Sequence, residues 1–285
     1  MNSPCAPARR KAAATITLAL ALFLVAAVPV RAQSAATAGA VSSAKAKSPQ
    51  RNSTKQAPDL SGLWGPRTER TGGEARLTWD PSDPAGQHPE LAPMTPWSLE
   101  RFKQAHPPFG ANETFEAIND PVQLYCDPTG VSRIYFYPWQ FTFVQTPDVV
   151  YILYEFSRIW RSVAMNRDHP KDPDLTWLGD SVGHYEGDTL VVDTVGFNDK
   201  TWLDHVGHPH SDALHLIERF RRVNRDTLEL TMTVEDPKAY TRPFTNKKTF
   251  SLSDSPMGET ICSSSEMQSF QKEIIDPTTT KPAGK

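Results

Sequence analysis

The feature that most constrains the fold is a strict alternation of apolar and polar residues over 227–235. Leu228, Leu230, Met232 and Val234 share one side of an extended chain, and threonines and glutamates occupy the other. Successive side chains of a β-strand point to opposite faces, so a period of two places all four apolar residues together. The pattern predicts a strand in a sheet that has one buried face.

Short turns separate the β-patterned runs of this chain. Glu186–Asp188, Asn224–Asp226 and Gln145–Asp148 each lie between two such runs. Turns this short join antiparallel strands, whereas parallel strands need long crossovers. We therefore predict a mainly β fold, either an antiparallel barrel or a sandwich. Consecutive hairpins favour an up-and-down barrel of the lipocalin or calycin kind, in which about eight strands enclose room for one small ligand.

Helix is predicted to contribute little to the fold. Proline interrupts residues 65–100 six times, which predicts a long loop region, because proline removes a backbone donor and ends helices. Residues 97–105 have the composition of one short helix. The N-terminal part of the folded region is therefore predicted to be a proline-rich loop with a single helical segment.

The N-terminus carries the signature of an exported protein. Arg9–Lys11 precedes a nearly continuous apolar stretch, and Val30–Ala32 has the small residues that a signal peptidase recognises. The apolar stretch is shorter than the roughly 20 residues that span a bilayer, so we expect cleavage and no stable membrane span afterwards. The predicted location is the periplasm or the extracellular space. We expect a signal peptide (1–32), a flexible linker (33–57), a single β-barrel-like domain (58–271) and a disordered tail (272–285).

Net charge narrows the class of partner. Eight of the 30 basic residues lie in the first 57 positions, which leaves 22 against all 33 acidic residues from Pro58 onward. A nucleic-acid-binding protein neutralises phosphates with lysine and arginine, so an acidic body argues against that function. We expect a small-molecule ligand or substrate instead.

Cysteine usage agrees with export. Cys5 leaves with the signal peptide, and Cys126 and Cys262 remain as an even pair. In an oxidising compartment such a pair predicts a disulfide, here one that ties the N-terminal region to the C-terminal segment. Two unpaired thiols are the alternative, because sequence does not show proximity.

A cluster of histidines is the strongest candidate for a functional region. Four of the eight histidines fall within eleven residues, together with several acids. His208 and His210 project to one face if the chain is extended there, so His205, His208 and His210 form a candidate zinc site. No other cofactor is expected, because the sequence holds no phosphate-cradling loop, haem motif or nucleotide fingerprint.

Acid–base chemistry is the leading hypothesis for this region. Glu218 shares a strand face with Leu216 and Phe220, and Asp193 lies between two valines in the same way. A carboxylate in an apolar row is either paired or has a raised pKa suited to proton transfer. We predict His210 as the proton-transfer residue, Asp204 as its orienting partner, and Glu218 or Asp193 as the second group. The alternative is a structural network in which these acids pair with arginines, for which the candidates are Arg161, Arg219 and Arg221.

A match to the G-x-S-x-G motif at Gly179–Gly183 does not indicate a serine hydrolase. That motif works on a strand-to-helix turn above a parallel sheet. Here a predicted β-hairpin follows Gly183, and the sequence lacks alternating strands and helices. We therefore interpret the match as coincidental.

The chain resembles a large group of secreted bacterial proteins that have no assigned function. The resemblance rests on several motifs spread over most of the folded region. These are Asp59–Trp64, Gln145–Pro147, the W-x-G-x-S-x-G segment Trp177–Gly183, Tyr185–Asn198, Thr201–Asp204, Pro209–Ser211, Glu218–Phe220 and Asp236–Thr241. The resemblance implies a secreted bacterial location and transfers no activity.

Taken together, the sequence predicts an exported enzyme that acts on a small organic molecule, of hydrolase, lyase or isomerase type. Trp202 adjoins the histidine cluster and is the first candidate for a pocket-lining aromatic residue. Further candidate ligand-binding residues are Asp199, Arg219 and Tyr240. The two alternatives are a lipocalin-like binding protein without catalytic activity and a metal-binding protein that uses the histidine cluster.

Overall fold

In the computed structural model, which describes residues 57–66, 92–107 and 119–263, nine strands form a closed barrel. The strands are β1 (Leu63–Pro66), β2 (Phe141–Gln145), β3 (Val149–Tyr154), β4 (Trp160–Met165), β5 (Asp180–Glu186), β6 (Thr189–Val195), β7 (His215–Asn224), β8 (Thr227–Glu235) and β9 (Phe244–Leu252). Three short helices accompany them in the described residues: α1 (Pro96–Gln104), α2 (Pro121–Tyr125) and α3 (Val131–Ile134). The prediction of a mainly β barrel is confirmed, and the sandwich alternative is not.

The barrel closes because strands that are neighbours in sequence pair with each other, and β1 pairs with both β2 and β9. Eight of these nine pairings are antiparallel. The exception is the pair β4–β5, which is parallel and registers Ala164 with Val182 and Met165 with Gly183. A parallel pair requires the chain to return along the barrel, and residues 166–179 make that crossover. The expectation of an entirely antiparallel barrel is wrong at this pair.

Strand β8 has the bounds and the buried face that its alternation predicts. Leu228, Leu230, Met232 and Val234 are all buried, and each contributes to the core of the barrel. The threonines between them face outward and are partly exposed. Period-two alternation therefore identified both the element and the side that it turns to the core.

Aromatic side chains fill the interior of the barrel. Tyr135, which follows α3, reaches the core, where its ring lies 5.4 Å from that of Phe141 and 5.8 Å from that of Phe220. The gap that Tyr135, Leu230 and Met232 border is too narrow for a water molecule. Around Tyr135 the interior is thus a packed core, and the depressions described below lie outside it, beside α1.

Several element boundaries differ from the predictions for a physical reason. The strand predicted from Phe156 begins at Trp160, because Ser157 and Arg158 adopt positive φ values of 53° and 49° and turn the chain. The first strand begins at Leu63 instead of Asp59, after Gly62 with φ 123°. The helix predicted at 97–105 is confirmed as α1, whereas α2 and α3 were not predicted.

Cys126 and Cys262 form the predicted disulfide, with Cα atoms 5.5 Å apart. It fastens the end of α2 to the segment that follows β9. The predicted signal peptide, almost all of the predicted linker and the predicted tail lie outside the described residues. Within the described ranges, every helix is too short or too polar to cross a membrane.

Candidate functional site

The loop between β6 and β7 carries the histidine cluster, and we call residues 198–212 the histidine loop. Asp204 shapes it, because its Oδ1 accepts hydrogen bonds from the backbone N–H of Val206 at 3.0 Å and of His208 at 3.3 Å. The Leu203 N–H also donates to the His208 carbonyl at 2.8 Å. Short polar side chains favour such local turns, which explains why this aspartate-containing segment folds back on itself.

Asp204 orients His208 instead of His210. The Asp204 Oδ2 and His208 Nδ1 atoms are 2.7 Å apart, and both side chains are fully buried. The His208 ring stacks on Phe102 of α1, with centroids 4.5 Å apart. The predicted Asp204–His210 pairing is therefore wrong. The Asp204–His208 pair docks the histidine loop on α1.

His210 has a different partner on each ring nitrogen. Its Nδ1 lies 3.0 Å from the Ser211 carbonyl oxygen, and its Nε2 lies 2.6 Å from the Thr201 hydroxyl. A carbonyl oxygen only accepts, so Nδ1 carries the proton, and Nε2 accepts from the Thr201 Oγ1–H. Burial lowers the pKa of His210. The imidazole is therefore neutral, and its basic nitrogen faces a hydroxyl.

The carbonyl groups and backbone beside His210 are fixed by residues near the end of β8. Asp236 accepts from the Ser211 N–H at 2.6 Å and from the Ser211 hydroxyl at 2.7 Å. The Tyr240 hydroxyl donates to the Pro209 carbonyl at 2.7 Å, and burial raises the pKa of this tyrosine well above its ordinary value. Hydrogen bonds to Asp236 and Tyr240 thus fix the backbone on both sides of His210.

His205 lies apart from the other histidines, packed on Tyr137 with ring centroids 4.3 Å apart. Burial lowers its pKa to about 3, and the nearby Arg133 guanidinium adds to that effect. Arg133 is itself fully buried and donates to Asp120 at 2.8 Å. His205 is therefore a neutral core side chain.

The candidate zinc site is not assembled in this arrangement. His205, His208 and His210 each turn to a separate partner, and the described residues contain no group of three or more histidine, cysteine, aspartate or glutamate side chains placed to hold a metal ion. The residues predicted as ligands act as packing and hydrogen-bonding groups.

A polar groove runs between α1 and the histidine loop, and we call it the α1 groove. It consists of two depressions of about 750 Å³ and about 320 Å³, which share Arg101, Asp199 and Lys200. Thr201 lines the smaller depression, and Ser211 lines the larger. The groove thus reaches both residues that hydrogen-bond to His210.

Aromatic rings and paired charges form the walls of the α1 groove. Arg101 lies over the Trp97 ring at 4.4 Å, and its guanidinium is 3.5 Å from Asp199. Lys200 lies over the Trp177 ring at 5.5 Å. Such walls suit a small polar molecule that offers both a flat face and hydrogen-bonding groups.

Glu218 lies inside the barrel, apart from the histidine loop. Arg161 Nη2 donates to Glu218 Oε1 at 2.8 Å, and Nη1 lies 2.7 Å from Oε2 in an ion-pair contact without hydrogen-bond geometry. Burial disfavours the charged form of Arg161, but Glu218, Tyr154 and Tyr135 together outweigh burial, so the pKa of Arg161 is raised. The structural alternative, in which an arginine pairs with this acid, describes Glu218 correctly.

Asp193 lies on the outer face of the barrel. Its Oδ1 contacts His215 Nε2 at 2.8 Å and His169 Nε2 at 3.1 Å, and about a third of its side chain is exposed. Asp193 does share its strand face with Val191 and Val195, but this face points away from the core, and the carboxylate contacts two histidines.

Among the predicted ligand-binding residues, Trp202 and Asp199 line the α1 groove. Arg219 does not, because it pairs with Glu186 at 2.6 Å on an exposed part of the barrel. Tyr240 lies buried beneath the loop. Sequence reasoning missed Thr201, whose only signal was its place beside Trp202, and Arg101, which gave no signal beyond its place on a helix.

Comparisons with protein-family models, with curated proteins and with solved structures find no significant match to this chain.

Proposed function

We propose that the protein is an exported hydrolase of small polar organic molecules, with its active site in the α1 groove. The observation that carries the proposal is the 2.6 Å contact between the Thr201 hydroxyl and the His210 Nε2 atom beside that groove. A hydroxyl that donates to a neutral imidazole, itself oriented by a third group, is the arrangement of a nucleophile and its general base. For this reason we favour hydrolysis over lyase or isomerase chemistry.

In the proposed reaction, the Thr201 oxygen attacks the carbonyl carbon of an ester, and its proton passes to His210 Nε2. The C–O bond to the leaving alcohol breaks, and His210 returns the proton to that alcohol. A water molecule then attacks the acyl carbon of the acyl–threonine and gives a proton to His210 Nε2. The bond between the acyl carbon and Thr201 Oγ1 breaks, His210 returns the proton to Oγ1, and the carboxylic acid leaves. Throughout, the Nδ1–H stays on the Ser211 carbonyl.

The positive charges of Arg101 and Lys200 line the groove next to Thr201. In the proposed reaction they stabilise the negative charge that develops on the carbonyl oxygen during attack. Asp199 pairs with Arg101 and so offsets part of the positive charge of the groove. The groove therefore suits a neutral or singly anionic substrate. Trp97 provides a flat apolar surface at the other end of the groove.

The test uses the nitrophenyl esters of acetate and butyrate as probes. Wild-type protein is expected to release nitrophenol and to gain the mass of one acyl group during turnover. Thr201→Val and His210→Gln should each lower kcat/KM by about 100-fold or more. Thr201→Ser keeps the hydroxyl and should retain much of the activity.

Thr233→Val is the matched control, because the Thr233 hydroxyl lies on the outer face of β8, where it hydrogen-bonds to the neighbouring Thr245 at 3.0 Å. It should leave the rate unchanged. Near-ultraviolet circular dichroism checks that each variant is folded. If wild-type protein releases nitrophenol at the uncatalysed rate and gains no acyl mass, the proposed hydrolase function is wrong.

A binding protein without catalytic activity is the second candidate, and one observation favours it. Trp97 is 38% exposed beside the larger depression, whereas Thr201 and His210 are 6% and 1% exposed. Exposed aromatic residues beside a groove are typical of recognition surfaces. In that case, native mass spectrometry would show a retained ligand that Trp97→Ala releases and Thr201→Val does not.

A further inference from the structure

A row of alternating carboxylates and imidazoles crosses the outer face of the barrel. Asp180 Oδ1 contacts His169 Nδ1 at 2.8 Å, and His169 Nε2 contacts Asp193 at 3.1 Å. From Asp193 the row continues to His215 Nε2 at 2.8 Å, and His215 Nδ1 lies 3.3 Å from Glu235. We call these five residues the outer ladder.

The geometry of the outer ladder fits protonated histidines. Each imidazole faces a carboxylate oxygen with both of its ring nitrogens. A carboxylate only accepts hydrogen bonds, and a neutral imidazole has one N–H to donate. Both contacts of one ring are therefore satisfied only when that ring is an imidazolium.

Charge balance agrees with this geometry. In the part of the chain that the structure describes, Arg167 is the one permanent cation paired with a ladder carboxylate, and its Nη2 donates to Asp180 at 2.7 Å. With both histidines neutral, the group has a net charge of about −2 at neutral pH, and with both protonated it is neutral. The side chains of His169 and His215 are 22% and 31% exposed, so protons exchange with solvent.

The ladder fastens the crossover between β4 and β5, residues 166–179, to the barrel. The backbone anchors this crossover near its two ends, where the Asn166 N–H donates to Gly183 O at 2.8 Å and the Thr176 N–H donates to Gly196 O at 2.9 Å. Between these anchors, Arg167 and His169 make the side-chain contacts to β5 and β6.

The crossover also meets the α1 groove. Leu175 lines the larger depression, and the Asn198 N–H donates to the Thr176 carbonyl at 2.8 Å. The C-terminal part of the crossover is thus also part of one wall of the groove.

We propose that the outer ladder is a proton-operated latch on this crossover. At low pH both imidazoles are charged, and His169 joins the crossover to Asp180 and Asp193 together. As the pH rises, His169 loses one proton and keeps one donor, so its other nitrogen directs a lone pair at a carboxylate. The latch then weakens, and the middle of the crossover is released.

The sign of the effect follows from which state binds the proton. The contact of His169 with both Asp180 and Asp193 needs an N–H on each ring nitrogen, so it is complete only in the protonated state. The stability that the latch gives to the crossover is therefore present at low pH and is lost as pH rises. The same carboxylates lose their charge in strong acid, which sets the lower limit of the window.

Amide hydrogen exchange over residues 166–175, at about pH 5.5 and about pH 8.5, tests the latch. After correction for intrinsic exchange rates, wild-type protection of this segment should fall about tenfold at the higher pH. His169→Gln keeps a hydrogen-bonding side chain but does not titrate, so its protection should be the same at both pH values. The exchange of β8 reports whether each variant remains folded.

His184→Gln is the matched control, because His184 contacts a single carboxylate, Glu186, at 3.0 Å on an exposed surface. It should keep the full pH dependence of wild type. Equal wild-type protection at both pH values would overturn the proposal, as would an unchanged pH dependence in His169→Gln. Neither readout depends on hydrolysis, so the latch and the proposed function fail separately.

Discussion

At the scale of single residues, the ion pair inside the barrel is an arrangement that is costly to bury. Arg161 and Glu218 are almost completely shielded from water, and the hydroxyl groups of Tyr135 and Tyr154 are the polar neighbours of the pair. Burial raises the pKa of Tyr154 to about 12, so its hydroxyl stays protonated. Such a pair adds little net stability compared with apolar side chains, but either partner is very unfavourable alone.

Glu218→Gln should therefore lower the free energy of unfolding by about 3–5 kcal/mol, because it leaves the Arg161 charge buried without its counter-ion. Urea denaturation followed by tryptophan fluorescence measures the change. The double variant Arg161→Met/Glu218→Leu removes both charges and should recover most of the loss.

The control for this prediction is Glu186→Gln, which breaks the exposed pair with Arg219. It should leave the urea midpoint nearly unchanged, because solvent screens exposed pairs. A Glu218→Gln midpoint equal to that of Glu186→Gln would show that the interior pair does not behave as a buried one.

At the scale of elements, the contact between α1 and the histidine loop decides whether the α1 groove exists. They approach each other closely at Gly207, which has φ 90° and whose position would place a Cβ atom 2.5 Å from the Cβ of Ala105, the residue that caps α1. A side chain at this position would push α1 away from the loop.

Gly207→Ala should destabilise the protein by about 3 kcal/mol, since it combines positive φ with a clash between two backbone-proximal atoms. Gly187→Ala separates the two causes, because Gly187 has φ 65° in the turn between β5 and β6 and open space around it. That variant should cost only about 1 kcal/mol. Thermal unfolding of both variants measures the difference, and equal losses would mean that the close approach to α1 contributes nothing.

Sequence reasoning was most reliable where structure is local. The alternation in β8 and the turn at Glu186–Asp188 identified their elements because the relevant contacts lie within a few residues. It failed where the partner is distant in sequence or the element is short. The parallel pairing of β4 with β5 depends on a crossover that has no periodic pattern, and α2 and α3 are five and four residues long.

In the candidate site, too, the sequence identified the region but not which side chains contact each other. The sequence predicted that the histidine loop is structurally special, because residue types alone reveal a cluster of titratable groups. It assigned Asp204 to His210, whereas a turn of four residues brings Asp204 to His208. His169 went unnoticed, since its partners Asp180 and Asp193 are 11 and 24 residues away.

At the scale of the whole molecule, the disulfide between Cys126 and Cys262 closes a loop that contains eight of the nine strands. Its two cysteines are 136 residues apart, and only β1 lies outside the loop. A cross-link over so long a loop restricts the unfolded chain strongly.

The double variant Cys126→Ser/Cys262→Ser should therefore lower the free energy of unfolding by about 2–5 kcal/mol. Adding a reductant should shift the wild-type urea midpoint to that of the variant and leave the variant itself unchanged. A wild-type midpoint that does not respond to reductant, with free thiols confirmed by mass spectrometry, would contradict the prediction.

The parallel pair β4–β5 has a consequence for how the ring of strands comes apart. On one side of it, β2 to β4 form one set of hairpins, and on the other, β5 to β9 form a second set. The two sets meet through two registered residue pairs at β4–β5 and through the four residues of β1. The cylinder is therefore two curved sheets with two narrow seams, and it should open along those seams before either sheet loses its own strands.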